Sequence, residues 1–105
     1  MKYLIVDDHA LITSALSMML IDRDPAAAVL TAETAEGAID LVRREGDTAD
    51  LLILDLSMPG VTGTELMEEI VRIQPMLKIL VVSGLVDQQS IMRVLQLGAA
   101  GFVPK

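Results

Sequence analysis

Five short apolar segments alternate with four segments of helical periodicity along the chain, and this alternation limits the possible folds more than any other feature. The connections between the segments are only a few residues long. Such alternation is typical of a parallel sheet with right-handed crossovers and helices on both faces. We therefore predict a single doubly wound α/β domain with five parallel strands and four helices.

The predicted elements have recognisable ends. The strand candidates cover residues 2–6, 26–32, 51–55, 78–83 and 100–103, and the helix candidates cover residues 9–22, 34–46, 62–75 and 87–98. Thr34 and Asp87 are predicted N-caps, and Thr62 with Glu65 has the spacing of a capping box. Gly98 is the predicted stop of the fourth helix. In the first helix, apolar residues recur at helical spacing from Leu11 to Met19, which predicts an amphipathic helix.

Composition excludes several classes of function. The 105 residues contain no Cys and one His, so disulfides, thiolate metal sites and thiol catalysis are excluded. With 15 acidic and 8 basic residues, the net charge of −7 argues against direct nucleic-acid binding by this segment. No apolar run reaches the length of about 20 residues that a membrane helix needs, and no signal-peptide pattern is present. We therefore predict a cytoplasmic protein.

The third strand candidate ends in a carboxylate. Four apolar residues precede Asp55, and Pro59 and Gly60 follow shortly after it. This pattern indicates a buried parallel strand whose acid lies at the carboxyl edge of the sheet, where open α/β sheets bind their ligands. Taken alone, Asp55 could equally be a turn residue, because acids often follow strands in that role.

Polar residues also follow the other strands. Asp7 and Asp8 end the first, Ser83 ends the fourth, and Lys105 follows the fifth. Because the carboxyl ends of parallel strands share one edge, we expect these side chains to converge with Asp55. Gathered carboxylates repel one another, and Mg²⁺, which prefers oxygen ligands, would relieve that repulsion. A carboxylate beside such an ion can attack phosphorus, with Lys105 and the Ser83 hydroxyl as partners of the phosphoryl oxygens.

Each of these residues also has a purely structural interpretation. Asp7 or Asp8 could cap the first helix. Ser83 could be an ordinary loop hydroxyl, and Lys105 could be a solvated chain-end residue. His9 is interpreted as a surface residue of the first helical turn, and Phe102 as a core residue. The functional interpretation therefore depends on the whole set occurring at successive strand ends.

In this order and spacing, the motifs resemble the response-regulator receiver domain of two-component signalling over nearly the whole chain. The stretch 4–9 (LIVDDH) is similar to the acidic pair of that family, and 55–60 (DLSMPG) to its phosphorylation motif. Ser83-Gly84 is similar to its hydroxyl followed by a small residue, and 98–105 (GAAGFVPK) to its segment carrying an aromatic and a lysine. The resemblance implies a flavodoxin-like strand order of 2-1-3-4-5.

The resemblance also implies roles for single residues. Asp55 would accept a phosphoryl group, while Lys105 would pair with that group and Ser83 would bind it on activation. Phe102 would be the switch aromatic that turns inward, and as Phe rather than Tyr it would make no hydroxyl hydrogen bond. Mg²⁺, or Mn²⁺ in its place, would be held by Asp8, by Asp55 and by the backbone carbonyl of Ser57. Asp7 would reach the ion through water.

The resemblance further implies partners and a boundary. The phosphoryl donor would be a sensor histidine kinase or a phosphotransfer protein, and the Asp7-Asp8-His9 opening resembles receivers that precede a helix-turn-helix DNA-binding domain. The last helix of the family would follow Lys105, so residues 1–105 are predicted to be a receiver domain that ends before its fifth helix. An uncovered sheet face would expose apolar surface, which predicts self-association or partner binding there.

Three rival functions remain as alternatives. An aspartyl-phosphate phosphatase would use the same nucleophile, but such enzymes have a second Asp two residues later, where this chain has Ser57. A flavin or dinucleotide module would need a glycine-rich turn after the first strand, where Asp7 and Asp8 would repel a phosphate. A degenerate receiver used only for protein contact is the third, although all the key residue types are present.

Overall fold

The computed structural model describes residues 1–58, 63–84 and 87–104. Nine elements alternate along these described residues, as predicted. They are β1 (Lys2–Val6), α1 (Ala10–Arg23), β2 (Ala28–Ala32), α2 (Ala35–Glu45), β3 (Leu51–Asp55), α3 (Gly63–Ile73), β4 (Ile79–Ser83), α4 (Gln88–Gln96) and β5 (Gly101–Pro104). The predicted start of α3 at Thr62 lies outside the described residues.

The five strands form one parallel sheet in the order β2-β1-β3-β4-β5. The chain therefore moves one way along the sheet from β1 to β2 and the other way in every later crossover. Right-handed crossovers then place α1 on one face and α2, α3 and α4 on the opposite face. The contacts agree, because α2 packs against α3, α3 packs against α4, and α1 packs against β2.

The main hydrophobic core lies between the sheet and these three helices. Alternate strand residues such as Leu4, Leu52 and Val81 point into it and are fully buried. Met67 and Ile70 of α3 reach the same core and are also fully buried. We name this side of the sheet the three-helix face and the opposite side the α1 face. Among the described residues, no α1 side chain belongs to the core cluster.

The predicted helix caps are present where the structure describes them. The Thr34 hydroxyl accepts a hydrogen bond from the Gly37 N–H at 3.0 Å, and Asp87 Oδ1 accepts one from the Ser90 N–H at 2.8 Å. The hydrogen bonds from the Ser90 backbone and side chain hold the Asp87 pKa below its ordinary value. Gly98 has a φ of +103°, which favours glycine, and closes α4 with paired hydrogen bonds back to the last turn.

The prediction for α1 was wrong in one respect. The helix forms, but Leu11 and Met18 are 83% and 72% exposed, and Thr13 is the buried residue of the helix. Ile12, Leu16 and Leu20 are half-buried, so the apolar side of α1 is only partly buried, and apolar residues continue onto its exposed side. The physical reason is that α1 packs at β2, with no second helix beside it among the described residues. Within the same residues, no helix combines the length and the hydropathy needed to cross a bilayer.

Candidate functional site

The end of β1 delivers two carboxylates to the carboxyl edge of the sheet. Asp7 directly follows the last β1 residue and is only 3% exposed, while Asp8 is partly exposed. The Asp7 N–H donates to the Ala32 carbonyl at 3.1 Å, so the parallel pairing with β2 continues through Asp7. The backbone pairing therefore fixes where the Asp7 carboxylate lies.

The Asp55 carboxylate ends β3, the central strand of the sheet. It is 1% exposed, although the residue is ionisable and such groups are seldom fully buried. Asp55 Oδ1 accepts a hydrogen bond from the Ser57 N–H at 2.9 Å, which makes a tight turn directly after the strand. Oδ1 of Asp55 therefore stabilises a turn, as one of the two interpretations predicted. The other oxygen, Oδ2, lies on the side of Asp7 and Asp8.

These strand ends converge, as the parallel sheet predicts. One ligand atom each from Asp7, Asp8, His9 and Asp55 lies within 4.8 Å of the others. We name these four residues the acidic pocket. Like charges this close are unfavourable unless cations or donors compensate them. A positively charged group in the pocket would relieve this repulsion.

His9 is a surface residue at the start of the first helix, as predicted, but its ring also contacts the acids, which was not predicted. It is the N-cap residue of α1, and its ring turns inward although half of the side chain stays exposed. Its Nδ1 lies 2.7 Å from Asp7 Oδ1, 3.2 Å from Asp8 Oδ1 and 3.7 Å from Asp55 Oδ2. The sequence shows that His9 adjoins two acids, but it cannot give the direction of the ring.

The environment of one carboxylate oxygen indicates whether a divalent cation would fit the pocket. Asp8 Oδ1 is buried and accepts no hydrogen bond from the described residues, because His9 Nδ1 at 3.2 Å lacks hydrogen-bond geometry. A buried carboxylate oxygen in that state is unfavourable. A cation with oxygen ligands, of the Mg²⁺ type, would satisfy it and would also neutralise the neighbouring acids. The donor set therefore fits a hard divalent cation.

The end of β4 places a buried hydroxyl near Asp55. Ser83 is fully buried, and its hydroxyl forms a hydrogen bond with the Ser57 hydroxyl at 2.9 Å, with either group as donor. In the β3–β4 register, Asp55 pairs with Val82, so Ser83 lies one residue beyond the Asp55 position. Ser57, two residues after Asp55, and Ser83, which ends β4, are therefore in direct contact.

Phe102 lies beside this hydroxyl on the same face of the sheet. It pairs with Val81 across β4 and β5, and Pro104 pairs with Ser83. Because alternate residues share a face, Phe102 and Ser83 both point to the three-helix face, where the half-buried Phe102 packs against the core. Lys105, the predicted cation of the site, lies outside the described residues.

The comparisons with known proteins agree with this geometry. Residues 3–105 match the family model described as the response regulator receiver domain. The chain is 34% identical over 104 residues to the response regulator GacA of Pseudomonas aeruginosa, covering 99% of this chain and 48% of that protein. It is 40% identical over 106 residues to a protein-glutamate methylesterase/protein-glutamine glutaminase of Cupriavidus metallidurans, covering 99% of this chain and 29% of that one.

A solved CheY-like response regulator receiver domain from Methanospirillum hungatei has the same fold. It superposes with a TM-score of 0.90 at 27% identity, covering 99% of this chain and 80% of that structure. The chain spans less than half the length of the two curated relatives named above. The family match begins within β1 and covers the acidic pocket and the eight later elements, and with the strand order it shows that the chain belongs to the response regulator receiver domain family.

Proposed function

We propose that the chain is a phosphorylation-dependent signalling switch in which Asp55 accepts the phosphoryl group. The observation that carries the proposal is the burial of Asp55 against two other acids, Asp7 and Asp8, at the end of the central strand. Burying three carboxylates together costs stability, and natural proteins accept such costs mainly at functional sites. Membership of the receiver family supports the same role.

The proposed cofactor is Mg²⁺, with Mn²⁺ as a substitute. Asp8 and Asp55 would hold the ion directly together with the backbone carbonyl of Ser57, and Asp7 would act through water. The unsatisfied Oδ1 of Asp8 supports this assignment. When bound, such an ion neutralises charge that develops on the phosphoryl oxygens.

The proposed reaction is a phosphoryl transfer to a carboxylate. An Asp55 oxygen forms a bond to phosphorus while the bond from phosphorus to the donor breaks, and the donor leaves with that electron pair. The Ser57 N–H, which already holds Asp55 Oδ1, fixes the orientation of the carboxylate. Lys105 would pair with the transferred group. The chain is thus a phosphoacceptor that assists its own phosphorylation and dephosphorylation rather than an enzyme with a separate substrate.

The proposed switch uses Ser83 and Phe102. The phosphoryl group adds about 1.5 to 2 negative charges and new hydrogen-bond acceptors next to the Ser83 hydroxyl. Ser83 would exchange its contact with Ser57 for these acceptors, and Phe102, on the same face of the sheet, would turn inward. A local change in charge would then alter the surface near α4 and β5 and change affinity for a partner.

The proposed donor is a sensor histidine kinase or a phosphotransfer protein in the cytoplasm. The proposed output is control of transcription through a DNA-binding region, and similarity to the transcriptional regulatory protein DegU of Brevibacillus brevis supports it. The methylesterase relative indicates that receiver-like sequence also occurs in proteins with a different output activity. DNA contact would not come from this segment, because its net charge is −7.

We also propose that the chain self-associates, with the contact on α1 rather than on the uncovered sheet face expected from the sequence. Leu11, Met18 and Met19 are 83%, 72% and 57% exposed, so their removal from water would favour association. Light scattering over a concentration series is expected to show a dimer that dissociates on dilution. The double substitution Leu11→Ser with Met18→Ser is expected to give a monomer at every concentration. A wild-type chain that stays monomeric throughout would refute this part of the proposal.

The central experiment is phosphorylation by acetyl phosphate with Mg²⁺, followed by intact mass measurement. One added phosphoryl group is expected on the wild type, with none on Asp55→Ala and none when the metal is chelated. Asp22→Asn, an exposed acid on α1, is the matched control and should be labelled like the wild type. Labelling that persists in Asp55→Ala would refute the site assignment.

A further inference from the structure

α2 and α3 pack against each other on the three-helix face and leave a groove between them, which we name the α2–α3 groove. Its volume is about 500 Å³, within the range of protein binding clefts. Ala35 and Ile39 of α2 and Leu66 of α3 form its apolar floor. The two α2 side chains are only half-buried, so part of this apolar surface is accessible in the groove. The groove is separate from the acidic pocket, because the described residues that line the two sites are different.

Acidic side chains line both walls of the groove. Glu36 and Asp40 are four residues apart on α2, and Glu65 and Glu69 are four residues apart on α3. Like charges at this spacing lie one turn apart on the same side of a helix and weaken it. Helix stability therefore does not explain why acids are paired on both walls. Among the described lining residues, these four acids and Arg43 give the groove a net charge of −3.

Most of this charge is not neutralised within the described part of the chain. Asp40 pairs with Arg44 at 3.2 Å on the exposed surface of α2, and the other three acids of the groove form no ion pair with a described residue. By contrast, Glu68 lies on the side of α3 that faces α4 and pairs with Arg93. The fold thus supplies a cation to the α4 side of α3 and leaves the groove side negative.

Helix dipoles account for only part of the negative charge. Glu36 and Glu65 lie in the first turns of α2 and α3, where an acid is favourable. Glu69 lies one turn further along α3, where the dipole effect has fallen off. The groove therefore combines accessible apolar surface with more negative charge than its two helices need.

We propose that the α2–α3 groove docks a basic amphipathic helix of a partner protein, with Lys or Arg side chains against the acidic walls and apolar side chains against the floor. The acids on both walls are one turn apart, which matches the spacing of side chains along one side of a docked helix. From Ala35 to Arg43 the groove runs about 12 Å along α2, the length of about two helical turns.

The sign of the charge decides among the possible occupants. Negative walls repel nucleic acid and an anionic lipid surface. A second copy of this chain, with a net charge of −7, would also be repelled from the groove. A basic partner is therefore the occupant that the groove complements. This inference goes beyond the proposed function and does not depend on phosphorylation of Asp55.

The test is a fluorescence anisotropy titration with a synthetic helical peptide of about 15 residues that carries Leu on one face and Arg on both flanks. At about 0.15 M salt, the double variant Glu65→Gln with Glu69→Gln is expected to bind about fivefold more weakly, because two exposed ion pairs are lost. The control, Asp22→Asn with Asp47→Asn, has the same net charge but changes exposed acids outside the groove. It should change the Kd by less than about twofold, since salt screens distant charges.

Two outcomes of this titration would overturn the proposal. One is equal weakening in the two double variants, because the peptide would then respond only to the net charge of the chain. The other is no binding of the peptide by the wild type. A thermal unfolding curve for each variant separates loss of the docking site from loss of the fold.

A second titration tests the apolar floor. A peptide with Ala in place of Leu keeps its helix propensity but loses most of its apolar area, and we expect it to bind at least about tenfold more weakly. Spermidine, a small polycation without an apolar face, should not displace the Leu peptide at an equal concentration. Equal binding of the two peptides, or full displacement by spermidine, would indicate a simple cation site and would overturn the docking of a helix.

Amide NMR shifts of the isotope-labelled chain would locate the bound peptide. The largest changes are expected at Ala35, Ile39 and Leu66. The strongest competing surface is α1, where Leu11 is 83% exposed. Shift changes centred on α1 instead of on α2 and α3 would overturn the proposal.

Discussion

The two faces of the sheet are covered by helices to different extents. The three-helix face contains the whole core cluster, in which residues such as Leu52 and Ile70 are fully buried. The α1 face is covered by α1 alone among the described helices, so Ile5 is fully buried there while Leu80 and Val82 are only half-buried. Leu11, on the helix itself, is 83% exposed. The difference indicates that most of the stabilising core lies on one face, while the outer surface of α1 and the acidic edge are more accessible to ligands and partners.

The largest expected effect comes from the core of the three-helix face. Ile70→Ala would remove a fully buried side chain from α3 and leave a cavity against the sheet. We expect a loss of about 3 kcal/mol in the free energy of unfolding, measured by urea denaturation. A loss below about 1 kcal/mol would mean that the core is not tightly packed and would weaken the comparison between the faces.

The acidic edge should respond in the opposite direction. Asp55→Asn removes a buried charge from beside Asp7 and Asp8 while keeping the shape of the side chain. We expect the free energy of unfolding to rise by about 1 kcal/mol as phosphorylation is lost, since functional sites trade stability for activity. Asp22→Asn is the control and should change neither property. Destabilisation by Asp55→Asn would show that the buried charge is structurally favourable.

A smaller effect is expected at the start of α4, on the three-helix face. Hydrogen bonds from Ser90 lower the pKa of Asp87 in the folded chain. The folded chain therefore binds this proton less readily than the unfolded chain, so the stabilisation is present above the ordinary pKa of 3.8 and is lost as pH falls through the folded value. Urea midpoints measured at falling pH should decrease more for the wild type than for Asp87→Asn. Parallel decreases would exclude this contribution.

The smallest expected effect is on the α1 face. Leu11→Ser changes a large apolar side chain that is almost fully exposed. We expect the free energy of unfolding at low protein concentration to change by less than about 0.5 kcal/mol, as is usual for surface positions. A loss comparable to that of Ile70→Ala would mean that Leu11 is buried in solution, and the two faces would then not differ as described.

Sequence reasoning located most of the fold because the signals were local. Short sequence motifs predict the N-caps at Thr34 and Asp87 and the helix end at Gly98, and the structure contains all three. The strand limits shifted by one or two residues, as at β2, which begins at Ala28 rather than at residue 26. Element order followed from the alternation of strands and helices.

Two features were beyond sequence reasoning because they depend on distant contacts. Helical spacing in α1 identified a helix, but periodicity does not say whether another element covers Leu11 or Met18. The order of the strands also predicted that Asp7, Asp8 and Asp55 lie at one edge of the sheet. The contact of the His9 ring with these acids depends on its side-chain rotamer, which residue spacing does not specify. The fold was predictable from the sequence pattern, but the set of side chains that forms the pocket was only partly predictable.

The most direct test of the central claim is to find which residue carries the phosphoryl group. After treatment with acetyl phosphate and Mg²⁺, borohydride would reduce an aspartyl phosphate to homoserine, and tandem mass spectrometry would locate the converted residue. Homoserine at position 55, and at neither position 7 nor position 8, is the predicted result. Conversion at Asp7 or Asp8 with Asp55 unchanged would contradict the account.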